Sequence, residues 1–462
     1  MLCKKKTACL VTTVVSVLAT SSAYSADPNQ LGKELTSTGA TVEGNKEGTI
    51  PAYDGVSAQL PGYAYGKFRG DYFKYKNEKP LYVIDASNVS KYADKLSPGQ
   101  IKMLKEVKGY TMPVYPTHRS CETPDNVQAN TKKNAAEAKI GTNGWTLEGA
   151  TLPGVPFPIP KSGIEAIWNH LVRYQGVAQE YPVATAYVSP APGNEKDIVN
   201  IYNLWQFWPN SKKGENKPGP DSMYQGLYYG YIQPASLSGQ AVVQRFYLSK
   251  PTESYYYFTG QRRVRRLPSY DYDAPQLGYE NQYAVDQTNI LYGAPDRFNW
   301  KLVGKKEMLV PYNVFGMYDF RKGLKDVFVQ PNVINAAFRR YELHRVWVVE
   351  GTVKQGIRHV NPKRVIYLDE DSWVAVGGED YDAQNQLWKF KESSPAPAWE
   401  LEGACVIPQV IMYDFNSGRL LTDAIPFGGN KDFRWYSALS PNVPQLKEGY
   451  YTSENLQRIS DR

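Results

Sequence analysis

Between residues 183 and 422 the chain is a succession of short aromatic and β-branched runs separated by Gly, Pro and Asn. The runs cover 183–188, 198–208, 225–233, 241–248 and 255–259, then 300–310, 343–353, 364–368, 373–377, 387–390, 402–414 and 419–422. Residues of these types pack well on a pleated surface, and the intervening residues make turns. Few helical periods lie between the runs, which argues against βαβ units. The pattern predicts a mainly β fold with helices (α+β), built on one large antiparallel sheet that is strongly bent or closes only partly into a barrel. Tyrosine accounts for 36 of the 462 residues, and its apolar face and polar tip suit surfaces that are partly dry and partly wet.

One run stands apart. In ESYYYFTGQRRVRRLPSYDYDAP, Tyr255, Tyr256, Tyr257 and Phe258 lead through Thr259-Gly260 into Arg262, Arg263, Arg265 and Arg266. This predicts a hairpin that carries aromatic surface into a basic corner. Alternation puts Arg263 and Arg265 on one face and Val264 and Arg266 on the other. Guanidinium forks bind phosphate or carboxylate bidentately, so the corner suits an anionic headgroup. Pairing with Asp271 and Asp273 inside the chain is the plainer alternative.

Three segments are expected: a leader over 1–25, an N-terminal arm with helices over 26–160, and the sheet domain with a packed helix over 161–462. Lys4, Lys5 and Lys6 precede a short apolar run, and Ala23-Tyr24-Ser25 places small residues for cleavage before Ala26. Residues 31–55 read as an extended arm with turns. Ser97-Pro98 and Thr123-Pro124-Asp125 open two helices. Ser162, with Glu165 as its capping-box partner, opens a third, whose Ile164, Ile167, Trp168 and Leu171 form one buried stripe. Residues 286–292 suggest a further short helix.

Removing the leader leaves two of the four cysteines, Cys121 and Cys405. An oxidising compartment favours one disulfide between them, and two separate buried thiols are the alternative. The formal charge of +7 includes the three leader lysines and is too mild to suggest nucleic acid.

Recognisable chemistry is sparse. His118, His170, His344 and His359 show no metal-ligand spacing, and neither a nucleophile elbow nor a phosphate loop is present. No cofactor or metal is expected. The acidic run Asp369-Glu370-Asp371 reads as a solvated turn. What remains is surface: Ile201, Trp205 and Phe207 alternate with Tyr202, Leu204 and Trp208, so neither face of that strand is polar. Both faces must be covered, by the rest of the domain or by an apolar ligand.

Several long segments, among them LTSTGATVEGNKEGTIPAYDG, PFPIPKSGIEAIWNHLVRYQG, GAPDRFNWKLVGKKEMLVPYN and YLDEDSW, resemble the domain of unknown function 1329 family. The resemblance implies a secreted Gram-negative protein, often labelled as lipoprotein-sorting, with an incomplete barrel similar to periplasmic lipoprotein carriers and a helical plug or lid. It supplies no catalytic residues, and the two cysteines are not part of it.

The combined expectation is a non-catalytic periplasmic carrier of hydrophobic or lipid cargo, with possible outer-membrane association. Trp205, Phe207, Tyr228, Phe246, Tyr256, Phe258 and Trp347 would line its site, with Arg263 and Arg265 at the polar end. The alternatives are an accessory that joins an inner-membrane exporter to an outer-membrane protein, and a hydrolase of envelope lipid or glycan.

Overall fold

The structure is a computed structural model that describes residues 27–55, 62–407 and 409–461. The expected leader and cleavage point lie outside the described residues. Among these, sixteen strands make one sheet. In chain order they are β1 (Tyr82–Ile84), β2 (Met112–Val114), β3 (Ala178–Val188), β4 (Ile198–Phe207), β5 (Met223–Gln233), β6 (Ala241–Tyr247), β7 (Glu253–Phe258) and β8 (Arg263–Arg266). Then come β9 (Phe298–Pro311), β10 (Tyr341–Val353), β11 (Lys363–Asp369), β12 (Ala375–Tyr381), β13 (Leu387–Ser393), β14 (Val410–Asp414), β15 (Arg419–Ile425) and β16 (Arg434–Tyr436).

The spatial order is β1-β2-β10-β11-β12-β13-β14-β15-β3-β4-β5-β6-β7-β8, with β9 on β10 and β16 on β3. The sheet is open, with β8 at one end of that order. Within this sheet every pairing among the described residues is antiparallel except the single bridge between Tyr341 and Val114. Strands from the N-terminal arm therefore join the same sheet as the rest of the chain. The turns follow local chemistry. Asp382 Oδ1 accepts from the N–H of Gln384 and Gln386, and Asp414 Oδ1 accepts from Asn416 and Ser417.

Helix α1 (Pro98–Glu106) has the capping box its sequence implies, with Ser97 and Gln100 bonded reciprocally. Helix α2 (Asp125–Glu137) follows. Helix α3 (Gly163–Leu171) begins after Ser162 as expected, but the Ser162 side chain makes no cap bond. Glu165 instead accepts the N–H of Lys161 at 2.5 Å. The first residue of α3 must be small, because a Cβ on Gly163 would lie 2.6 Å from the Trp300 carbonyl carbon. Trp168 and Ile167 are fully buried against the sheet.

The sheet is bent around a shared interior. Helix α3 packs on β9 and β10, yet its Trp168 ring also meets Tyr224 of β5 edge-on at 5.9 Å. The segment 267–297 crosses the same interior. Ile290 lies against Gly378 of β12, while Tyr292 meets Phe246 of β6 at 4.4 Å. One buried cluster accordingly contains Tyr202, Tyr229, Phe246 and Tyr256 from one half, and Trp347, Val349, Ile366 and Leu368 from the other.

The outer faces have separate covers. Trp205, Phe207, Val243 and Tyr257 lie under the C-terminal segment, whose Tyr451 and Leu456 are fully buried; Leu456 belongs to the helix α4 (Ser453–Ser460). Met308, Val346, Val365 and Val376 form a second outer cluster beside Cys121 and Cys405, which form a disulfide with a Cα–Cα distance of 5.0 Å.

Candidate functional site

The interior is filled from two sides. Helix α3 is one plug. The other is the strap 267–297, which is not helical apart from a single turn at Val285–Gln287. Residues 286–292 are thus a buried irregular strap and not the short helix their sequence suggests. Tyr272 and Ile290 hold φ values of 53° and 73°. That conformation is costly for a β-branched residue and persists only where surrounding contacts enforce it.

Beneath the strap lies a cavity of about 40 Å³, room for a few waters. Its walls come from β4, β5, β6, β14, β15 and the strap, and hydroxyls, amides and a carboxyl share them with apolar side chains. Asp423 of β15 accepts the hydroxyls of Tyr202 at 2.6 Å and Tyr279 at 3.1 Å. Burial raises its carboxyl above the ordinary range, against the lowering effect of those hydroxyls. Gln409 is fully buried, and neither its Oε1 nor its Nε2 has a partner among the described residues. A buried amide without bonds costs free energy that a ligand or water could return.

The expected site residues take three positions, and none lines this chamber. Trp205, Phe207 and Tyr228 point to the outer face, against Tyr436, Tyr451 and Tyr450. Phe246, Tyr256, Phe258 and Trp347 pack into or against the inner cluster. Arg263 and Arg265 lie on the exposed edge strand β8, opposite Phe258 and Tyr256. The alternation read from the sequence therefore holds. Their suggested partners are engaged elsewhere: Asp271 accepts the N–H groups of Thr252 and Tyr272, and Asp273 pairs with Arg297 at 3.6 Å.

The residues that do line the chamber include Gln206, Gln244 and Gln409. The available signal was an amide recurring on the aromatic parity of a strand, where an aliphatic residue would serve an ordinary core.

The acidic run 369–371 is buried, which corrects the reading of a solvated turn. Arg119 grips Asp371 at 2.6 and 3.0 Å, Lys305 meets Glu370 at 2.8 Å, and Ser372 donates to Asp369 at 2.6 Å. Burial and the neighbouring Asp371 push the Asp369 carboxyl up to about 7. One ligand atom from each of His344, Asp369 and Asp371 lies within 4.8 Å of the others, close enough in principle to share a cation. Arg119 already covers both Asp371 oxygens, so the cluster is a poor cage for a metal.

Asp371 also lines an open cleft of about 430 Å³ under the N-terminal arm, together with Glu122 and Tyr53. Glu122 has its carboxyl raised, chiefly by burial. In this cleft Asp371 is engaged by Arg119, and Glu122 accepts the Tyr53 hydroxyl at 3.3 Å.

Fold and chamber together define an incomplete antiparallel barrel closed by its own helix and connecting strap. Residues 83–457 match the family model described as a protein of unknown function, DUF1329, and the chain belongs to that family. It is 37% identical over 416 residues to the uncharacterized protein PA3922 of Pseudomonas aeruginosa, covering 88% of this chain and 90% of that one.

Solved structures with partial likeness include a proposed outer membrane lipoprotein-sorting protein domain from Vibrio parahaemolyticus. It is 14% identical, with a TM-score of 0.43, covering 64% of this chain and 98% of that one. A DUF1329 family protein from Desulfovibrio piger is 15% identical, with a TM-score of 0.37, covering 60% and 92%. The LolA superfamily protein NE2245 from Nitrosomonas europaea is 13% identical, with a TM-score of 0.33, covering 61% and 92%. No helix among the described residues is long and apolar enough to cross a membrane.

Proposed function

We propose that this protein is a non-catalytic, periplasmic binding protein that takes an amphipathic cargo into the chamber beneath the strap. The observation that carries this reading is one cavity wall that joins the Gln409 amide, neither of whose polar atoms has a partner among the described residues, to the Asp423 carboxyl with its tyrosine hydroxyls. A cargo with a hydrogen-bonding head would pair with Gln409 and Asp423. Its apolar body would lie against Phe246 and Tyr256, in the space that Tyr279, Tyr283 and Tyr292 now occupy.

The present cavity of about 40 Å³ cannot hold an acyl chain, so loading requires the strap to move. Such a change is paid for by the cargo's preference for the open form.

The test is native mass spectrometry on protein purified without detergent, before and after incubation with phospholipid and lysophospholipid. The expected result is a lipid adduct that Gln409→Leu and Asp423→Asn reduce. A bare mass under every condition would overturn the reading.

A further inference from the structure

The four arginines of the hairpin remain unused by the chamber. Strand β8 is separated from β6, which supplies Gln244 to the chamber wall, by β7. Arg263, Arg265 and Arg266 are exposed and take part in no salt bridge among the described residues. Arg262 adopts a left-handed turn with φ of 49° and has Asp461 and Tyr257 near its charge. Charged residues on an edge strand deter edge-to-edge pairing, and fewer than the three arginines of β8 would do that.

The neighbouring turn supplies the second observation. Residues 234–240 and 259–261 touch, since a Cβ on Gly239 would lie 2.9 Å from the Thr259 methyl. At that same tip Ile232 is 44% exposed and Leu277 is 38% exposed. Tyr231 fixes Leu277 there by donating its hydroxyl to the Leu277 carbonyl at 2.9 Å. A basic edge beside exposed aliphatic side chains matches the layering of an anionic bilayer, with phosphates outside and acyl chains beneath.

We propose that the β7–β8 hairpin and the tip at Ile232 and Leu277 form a docking surface for an anionic phospholipid membrane. Arg263 and Arg265, which share one face of β8, meet lipid phosphates, while Ile232 and Leu277 enter the interface. None of these four residues lines the chamber, although Leu277 belongs to the strap.

The test is co-sedimentation of the full mature chain with vesicles of phosphatidylglycerol mixed into phosphatidylcholine, against phosphatidylcholine alone. Partition to the anionic vesicles at low salt and release at high salt are expected. Each arginine near such a surface is worth on the order of 5-fold in partition, so Arg263→Ala with Arg265→Ala should lose about 25-fold. Ile232→Ser with Leu277→Ser should lose less and leave the salt dependence intact. These side chains are exposed, and a circular dichroism melt matching wild type confirms folding of each variant.

Equal partition to both vesicle types, or anionic binding unchanged in the double arginine variant, overturns the proposal. Inorganic phosphate provides a further arm at matched ionic strength. Release by phosphate well beyond that by chloride would mean a site for a single phosphate, and would also overturn it.

Discussion

The strap meets two halves of one interior in different ways. Toward β11, β12 and β13 it is held by buried ion pairs and a histidine. Arg364 donates to Asp286 at 2.9 Å, His359 lies 2.8 Å from the same carboxylate, and Lys391 pairs with Asp380 at 2.8 Å while donating to the Ile290 carbonyl at 3.0 Å. Toward β4, β5 and β15 it is held mainly by hydroxyls and backbone groups, with one half-exposed ion pair between Glu280 and Arg419 at 2.9 Å. Tyr279 reaches Asp423, Tyr270 meets Tyr229 at 3.1 Å, and Asn200 donates to the Gly278 carbonyl at 2.8 Å. Removing one partner from a buried ion pair strands the other, whereas a neutral hydroxyl can exchange its partner for water or ligand. In the proposed loading movement, the ionic half would serve as the hinge of the strap and the side held mainly by hydroxyls would open.

The comparison breaks most visibly at Arg364. Its guanidinium serves Asp286 of the strap and Asp380 of β12, and it is fully buried. Arg364→Met leaves both carboxylates short of a cation and should destabilise the protein by about 3–5 kcal/mol in urea unfolding. Tyr279→Phe, on the neutral side, should lose only about 1 kcal/mol. Equal losses would erase the distinction between the halves.

That division was only partly legible in the sequence. The strands were: residues 198–208 and 241–248 become β4 and β6 within a residue or so, because alternation and turn residues act locally. The strap was not. Residues 267–297 have no period, and their fold is imposed by Lys389, Lys391 and Arg364, which lie some hundred residues further on. The acidic run 369–371 misled for the same reason. Its burial depends on Arg119 and on Thr41 of the arm, which donates to Glu370 at 3.2 Å. Trp205 and Phe207 of β4 face the C-terminal cover, whereas Gln206 of β4 and Gln244 of β6 line the chamber.

A smaller effect should sharpen the comparison through pH. Asp271 begins the strap, and burial pushes its carboxyl up to about 6. Its folded value lies above the unfolded one of about 3.9, so the folded state holds a proton that the unfolded state releases between them. The stabilisation is full below about pH 4 and is lost as pH rises through about 6. The difference is at most about 3 kcal/mol. Hydrogen exchange of strap amides, corrected for intrinsic rates, should therefore report easier opening at pH 7 than at pH 5. Asp271→Asn should flatten that dependence, and an unchanged slope would assign it to another group.

The smallest expected change in stability is the most informative about the chamber. Gln409 keeps a fully buried amide with neither atom paired to a described residue. Gln409→Leu replaces it with an apolar side chain of similar size and removes the cost of stripping water from the amide. A buried polar group without partners contributes nothing that its replacement could lose, so the variant should be as stable as wild type or more so, by up to about 1 kcal/mol. Cargo binding should fall at the same time, because the head group loses its donor and acceptor. A stability loss above about 1 kcal/mol would instead mean that ordered waters in the 40 Å³ cavity complete the bonds of Gln409 as part of the native fold. The chamber would then be a finished wet core, and the neutral half of the strap would have no reason to open.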